Sequence, residues 1–215
     1  MTRAQIKEVV KQKLDEVSQF DEFQADSVDL IDDFLDAAAE KILMSMPLHL
    51  IPPHSFASQD HNPSPNGTGR IQLPDDFLRL SSFQMVEWDR PVVHAISKES
   101  PQYNLQKNTV TRGKPSKPVC VIGHYLDPGD SSSESGETGV YVKALEYFSV
   151  VDDHTIEHAL YVRDIVAGGD FPVRLIDPLA WQCAADILQV MGSERPMAYC
   201  VQQIEKFVQD NTLKI

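Results

Sequence analysis

The stretch Tyr141-Val142-Lys143-Ala144-Leu145-Glu146-Tyr147 decides the fold class of the middle of this chain. Successive side chains of an extended backbone point to opposite faces, so a period of two in residue character predicts a strand. One predicted face carries Tyr141, Lys143, Leu145 and Tyr147, and the other carries Val142, Ala144 and Glu146. The centre of the chain is therefore predicted to be a β-sheet.

The neighbouring segments extend this sheet in both directions. We predict strands over 71–73, 78–88, 92–97, 119–124, 140–150 and 157–164. No stretch with helical spacing separates them, and parallel strands need such crossovers, so the sheet is expected to be mainly antiparallel. The predicted β-rich region spans residues 71–165.

Helical patterns occupy both ends of the chain. Ile6, Val10 and Leu14 recur at a spacing of four with charged residues between them, which is typical of an amphipathic helix. Asp177 followed by Pro178 indicates an N-cap and a first helical residue. The predicted helices cover 3–18, 27–46, 178–191 and 195–210. The expected fold is a single α+β domain, in which these helices form a bundle beside the sheet.

Two polar or proline-rich segments interrupt this pattern. Five prolines and two glycines over 47–70 predict an irregular arm that orders against a partner. The stretch 127–139 is rich in serine, glycine and acidic residues, and it predicts a flexible loop. The apolar residues of the arm and the two tryptophans are the candidate interface residues: Leu48, Leu50, Ile51, Phe56, Trp88 and Trp181.

The charge balance argues against tight binding of nucleic acid. Acidic residues outnumber basic ones 32 to 19, which gives a net charge of −13. A protein that grips DNA neutralises phosphates with lysine and arginine. The second predicted helix carries one acidic face, formed by Asp29, Asp32, Asp33, Asp36 and Glu40. This face is interpreted either as an ordinary solvated surface or as the lining of a channel that repels DNA.

Residues with catalytic potential are few. Asp152, His154 and His158 have side chains that can bind a metal, and a small metal-dependent hydrolase built on them is the alternative hypothesis for function. A polar turn that leads into a strand explains the same residues, because four strand residues span about 13 Å. We therefore expect a protein that is not an enzyme and has no cofactor. A peptide-binding module that uses the proline-rich arm is a third possibility.

The order of these elements resembles that of head–tail adaptor proteins of tailed bacteriophages. Two helices precede the phrase Leu73-Pro74-Asp75-Asp76-Phe77-Leu78-Arg79-Leu80, antiparallel strands follow, and a pair of helices closes the chain. The phrase is similar to one that often opens the sheet in the tail tubular protein A group and in ring proteins of crAss-like phages. The alanine-rich start of the third helix, residues 180–188, is also similar to that family.

The resemblance implies a structural role at the neck of a virion. Such proteins form a homo-oligomeric ring, commonly of twelve subunits, between the portal protein and the tail or a second ring. DNA passes through the ring without specific binding. The chain is accordingly expected to be assembled in the host cytoplasm, to reside in the virion and to avoid membranes, since no run approaches the roughly 20 apolar residues of a membrane span.

Overall fold

The computed structural model describes residues 1–18, 30–126, 141–151, 153–168 and 170–212. It confirms the α+β class, with five α-helices and two mostly antiparallel sheets in these residues. The helices are α1 (Arg3–Ser18), α2 (Ile31–Ser45), α3 (Gln102–Gln106), α4 (Ile176–Val190) and α5 (Glu194–Asn211). The chain divides into two compact units instead of the single predicted domain. The helical unit comprises Met1–Pro52 and Asp164–Ile215, and the β unit comprises Pro53–Arg163.

The helical unit is built around α4. Eleven of its 15 residues are buried, and all of these except Asp186 are apolar, so other helices must cover most of its circumference. Helices α1, α2 and α5 provide that cover, since each of them packs on α4. The N- and C-terminal helices therefore form one bundle, as the sequence predicts.

The outer helices bury one stripe each. The predicted bounds of α1 are confirmed, and its buried residues Ile6, Val10, Leu14 and Val17 follow the expected spacing. The predicted start of the second helix at residue 27 lies outside the described residues, and the described helix α2 ends at Ser45. Helix α5 is one residue longer at each end than predicted.

The start of α4 differs from the prediction. A short 3-10 turn over Val173–Leu175 leads directly into the helix, which therefore begins at Ile176 and not at residue 178. Asp177 is not the N-cap. It lies in the first turn, and its carboxylate is 3.0 Å from Lys13 Nζ. Pro178 is still compatible with this position, because the first turn of a helix has N–H groups without intrahelical partners.

The β unit contains two sheets. Its strands are β1 (His54–Ser55), β2 (His61–Ser64), β3 (Thr68–Gln72), β4 (Phe77–Met85), β5 (Ile96–Ser97), β6 (Cys120–Leu126), β7 (Tyr141–Phe148) and β8 (Ile156–Arg163). One sheet has the order β1-β8-β4, and the other has the order β2-β3-β7-β6-β5. Every pairing is antiparallel except that of β5 with β6.

The prediction of an irregular arm over 47–70 is wrong. Residues 48–50 form a 3-10 turn, β1 pairs with β8, and β2 and β3 form a hairpin, so strand structure begins at His54 and not at residue 71. Pro63 lies on the edge strand β2, where a missing N–H does not interrupt the sheet. The hairpin turn closes with a bond from Gly67 N to Ser64 O, and Gly67 has a φ of 77°. The predicted loop 127–139 lies outside the described residues.

Aromatic rings fill the core of the β unit. Phe56, Phe83 and Tyr147 have no exposed surface, and the ring of Phe83 is 6.1 Å from Phe56 and 6.0 Å from Tyr147. Tyr147 on β7 pairs with Gly69 on the neighbouring strand β3. A Cβ at position 69 would lie 2.1 Å from Tyr147 Oη, so only glycine leaves room for the tyrosine.

The three cysteines, Cys120, Cys183 and Cys200, are buried free thiols. Burial raises the pKa of Cys183 and of Cys200 to about 12, so both stay protonated at neutral pH. No helix in the described part of the chain has the length and apolar character needed to cross a membrane.

We predict that Gly69→Ala destabilises the β unit by about 1–3 kcal/mol, because the new methyl group overpacks the site against Tyr147. The measurement is unfolding in urea, monitored by the fluorescence of Trp88. A Trp181→Phe background leaves Trp88 as the one tryptophan. Gly168→Ala is the matched control, since a Cβ there would come no closer than 4.0 Å to another atom. Equal effects of the two substitutions would contradict the prediction.

Candidate functional site

The candidate interface residues lie mostly in the interior. Leu50 and Ile51 are buried in the helical unit together with Trp181, and Phe56 and Trp88 are buried in the β unit. Leu48 alone is half-buried. This corrects the expectation that they form a contact surface. The segment that holds four of them folds into regular structure, and their apolar side chains fill the cores of the chain itself.

The acidic face of α2 is partly neutralised. Arg3 Nη1 donates to Asp36 Oδ1 at 2.6 Å, and Lys7 Nζ donates to Asp32. The hydrogen bond from Lys7 holds the pKa of Asp32 below its usual value. Asp33 and Glu40 are exposed, and neither makes an ion pair with a described residue. Asp29 lies outside the described residues, and channel lining by this face stays a prediction.

The two histidines of the hydrolase hypothesis have separate partners. His154 Nδ1 is 2.7 Å from Tyr147 Oη, whereas His158 Nε2 is 2.7 Å from Ser82 Oγ. Asp152 lies outside the described residues. Within the described part of the chain, no group of three or more histidine, cysteine or acidic side chains is placed to hold a metal ion.

A buried tyrosine joins two histidines in the β unit. Tyr147 Oη lies 2.6 Å from His61 Nε2 and 2.7 Å from His154 Nδ1. These bonds connect the β2–β3 hairpin with the loop that precedes β8. The same loop is fixed by Glu87, whose carboxylate accepts bonds from Val151 N at 2.7 Å and from Asp153 N at 2.6 Å.

This chain of hydrogen bonds constrains protonation. A phenol has one proton to donate, so one imidazole accepts from Tyr147 and the other donates to it. Two protonated histidines would both donate, and the tyrosine proton would lose its acceptor. Burial, followed by the charge of His154, lowers the pKa of His61 below its ordinary value of 6.5. Burial also raises the pKa of Tyr147, so the phenol stays neutral.

A polar cavity of about 630 Å³ lies on the other face of the five-stranded sheet. Arg70 is fixed there by the carboxylate of Glu146, 3.2 Å from its Nη2, and its guanidinium lies 4.2 Å from the centre of the Tyr125 ring. Tyr125 donates to the second oxygen of Glu146 at 3.1 Å. The remaining lining residues include the amides and hydroxyls of Asn62, Ser64, Asn66, Thr68 and Gln72, together with the apolar Leu126, Val142 and Ala144. The mutually bonded Arg70, Glu146 and Tyr125 and the surrounding amides and hydroxyls could hydrogen-bond to polar groups in the cavity.

Sequence reasoning missed both of these clusters. The alternation of Thr68, Arg70 and Gln72 is a period-two signal for a polar sheet face, but it falls in a segment that its prolines mark as irregular. The link between His61 and His154 joins residues far apart in sequence. Only the pairing of β3 with β7 brings them to the same tyrosine.

Comparison with known proteins found no family model that matches the chain and no matching curated relative.

We predict that the β unit loses stability as the pH falls below about 6.5, the pKa of a free histidine. In that range His61 is protonated in the unfolded chain but stays neutral in the folded chain, so protonation favours unfolding. The contribution of neutral His61 to the free energy of unfolding is fully present above about pH 6.5, and it decreases as the pH falls towards the lower pKa of His61 in the folded state. Urea unfolding at pH values from about 8 to about 5 measures it.

Substitution of His61 by glutamine keeps a hydrogen-bonding side chain and removes the titration, so His61→Gln is expected to flatten this pH dependence. His94→Gln is the control, because His94 is exposed. A pH dependence that is unchanged by His61→Gln would contradict the assignment.

We also predict that the purified protein carries no stoichiometric zinc or manganese, because His154 and His158 are bound to Tyr147 and Ser82. Elemental analysis after dialysis against metal-containing buffer tests this. One equivalent of metal that His154→Ala and His158→Ala both remove would restore the hydrolase hypothesis.

Proposed function

We propose that this chain is a structural subunit of a phage head-to-tail connector ring, which joins the portal to the tail and lets DNA pass through its channel. It acts as a homo-oligomer, contacts the portal and a tail or second ring protein, and resides in the virion after assembly in the host cytoplasm. The acidic balance of 32 to 19 is compatible with this role, because an acidic surface does not retain passing phosphates.

The element order supports the proposal. The phrase Leu73–Leu80 leads into β4, antiparallel strands follow, and α4 and α5 close the chain beside the N-terminal helices. This is the order on which the resemblance to phage adaptors rests. The long β unit lies between two halves of the helical unit in the sequence.

The observation that carries the proposal is an apolar seam on α5 that stays partly exposed within the described part of the chain. Only Pro196 and Cys200 of this helix are buried, on the side that faces α4. A second stripe, Met197, Val201, Ile204 and Val208, has the 4-3-4 spacing by which helices pack against one another. Val201 is 41% exposed and the other three are half-buried. A seam of this kind favours a protein that assembles.

Assembly is tested by electron microscopy of the full chain, alone and mixed with the portal protein from the same genome. We predict closed rings, or rings that form on the portal. Val201→Asp is expected to weaken assembly by about tenfold or more, since it places a charge in the seam. Gln202→Asp adds the same charge on an exposed neighbouring position and is the control. A protein that stays monomeric and has no affinity for the portal would contradict the proposal.

A further inference from the structure

The outer face of the five-stranded sheet gathers polar side chains from four neighbouring strands. Arg70 on β3 lies opposite Asn62 on β2 and Glu146 on β7, and residues that lie opposite each other in a sheet share a face. Residues two or four positions along a strand share it too. The register thus brings together Asn62, Thr68, Arg70, Gln72, Tyr125 and Glu146. They line the cavity of about 630 Å³, a volume typical of small-molecule sites.

A buried carboxylate forms part of this lining. Glu146 is 8% exposed, and the other buried polar or charged side chains of the described residues are Gln106 and Asp186. Burial of an ion pair costs free energy, and apolar residues in its place are often at least as stabilising. Stability alone therefore gives no reason for a carboxylate beneath an open cavity. A binding site has one, because the carboxylate fixes the direction of a neighbouring donor.

That donor is the guanidinium of Arg70. Its Nε and Nη2 both donate to Glu146 Oε1, at 3.3 and 3.2 Å, and Tyr125 donates to the other oxygen of the same carboxylate at 3.1 Å. The third nitrogen, Nη1, makes no hydrogen bond within the described part of the chain, and the side chain of Arg70 is 45% exposed. Two N–H groups are therefore held in place and remain available to a ligand.

The neighbouring lining residues offer both donors and acceptors. The side chains of Asn62, Ser64 and Gln72 make no hydrogen bond to another residue that the structure describes. Amides and hydroxyls each donate and accept, so they match a ligand whose groups do the same, as alcohols do. The apolar side chains of Leu126 and Val142 lie in the same lining and suit the C–H groups of such a ligand.

The charge of the lining favours an uncharged ligand. Arg70 and Glu146 compensate each other, and Asp60 is the other acidic residue among the lining residues. Burial lowers the pKa of His61, so this histidine is neutral at pH 7. An anion would find no uncompensated cation among the lining residues, and a cation would meet the guanidinium of Arg70.

We propose that this cavity binds a neutral polyhydroxylated ligand of the saccharide class. Arg70 Nη1 and the amides of Asn62 and Gln72 hydrogen-bond to its hydroxyl groups, and its C–H groups contact Val142 and Leu126. The site lies within the β unit, and it does not depend on the proposed assembly into a ring.

Saturation-transfer difference NMR of the full chain tests the site, because it observes the ligand and works for a monomer and for a ring. The probes are glucose, N-acetylglucosamine and maltose, each titrated to about 50 mM, and acetate serves as an anionic probe. We expect at least one saccharide to give a saturable signal with a Kd of about 1–10 mM, the range of a few hydrogen bonds to an open site.

Three substitutions locate the binding. Asn62→Ala and Gln72→Ala each remove an amide that makes no hydrogen bond in the described part of the chain, so the fold is retained and binding is expected to weaken about fivefold. Arg70→Lys keeps the positive charge but loses the planar donors, and it is expected to weaken binding about tenfold or more. Gln202→Ala removes an exposed amide of α5 and is the control that binds like wild type. Urea unfolding of each variant shows that it is folded.

Every other outcome overturns the inference. One such outcome is that none of the three saccharides gives a signal at the highest concentration. Another is that a saccharide binds but all three cavity variants bind it like wild type, which places its site elsewhere. A signal from acetate alone, lost in Arg70→Lys, would make the cavity an anion site. Ring formation is measured separately by electron microscopy, so the proposed function stands or falls independently of these results.

Discussion

The helical unit depends on the burial of α4. Because most of the circumference of this helix is apolar and buried, it is stable only when other helices cover it. Helices from the first 52 residues and from the end of the chain are the ones that do so. This requirement joins the two ends of the chain in one unit and leaves the β unit as a continuous insertion, Pro53–Arg163. Within the described residues, only Pro196 and Cys200 of α5 are buried, and a second apolar stripe of that helix stays partly exposed.

In the β unit, the corresponding constraint is the fit of Tyr147 against Gly69. The ring occupies the space that a side chain on β3 would take, and its hydroxyl meets His61 and His154. One residue thereby fixes the β2–β3 hairpin, the centre of the sheet and the loop before β8. The opposite face of the same sheet carries the fixed Arg70–Glu146 pair and its polar cavity.

The periodic patterns of the sequence allowed individual helices and strands to be predicted, but they did not show which elements lie next to one another in the fold. The spacing of Ile6, Val10 and Leu14 predicted α1 with its observed bounds, and the alternation around Leu145 predicted β7. The segment 47–70 was misinterpreted because a proline is compatible with an edge strand or a turn, and only the fold shows which strand is at the edge. For the same reason Phe56, which lies in this segment, could not be recognised as a core residue. Ion pairs such as Arg3 with Asp36 also depend on how helices pack.

In the proposed function, the partly exposed apolar seam of α5 serves the assembly of copies into a ring. Cryo-electron microscopy of the neck of particles produced from the genome that encodes this chain tests that claim most directly. The account predicts a ring of copies between portal and tail, recognisable by the four-helix arrangement around α4. A neck whose density is fully explained by other proteins, with no copy of this chain, would contradict it.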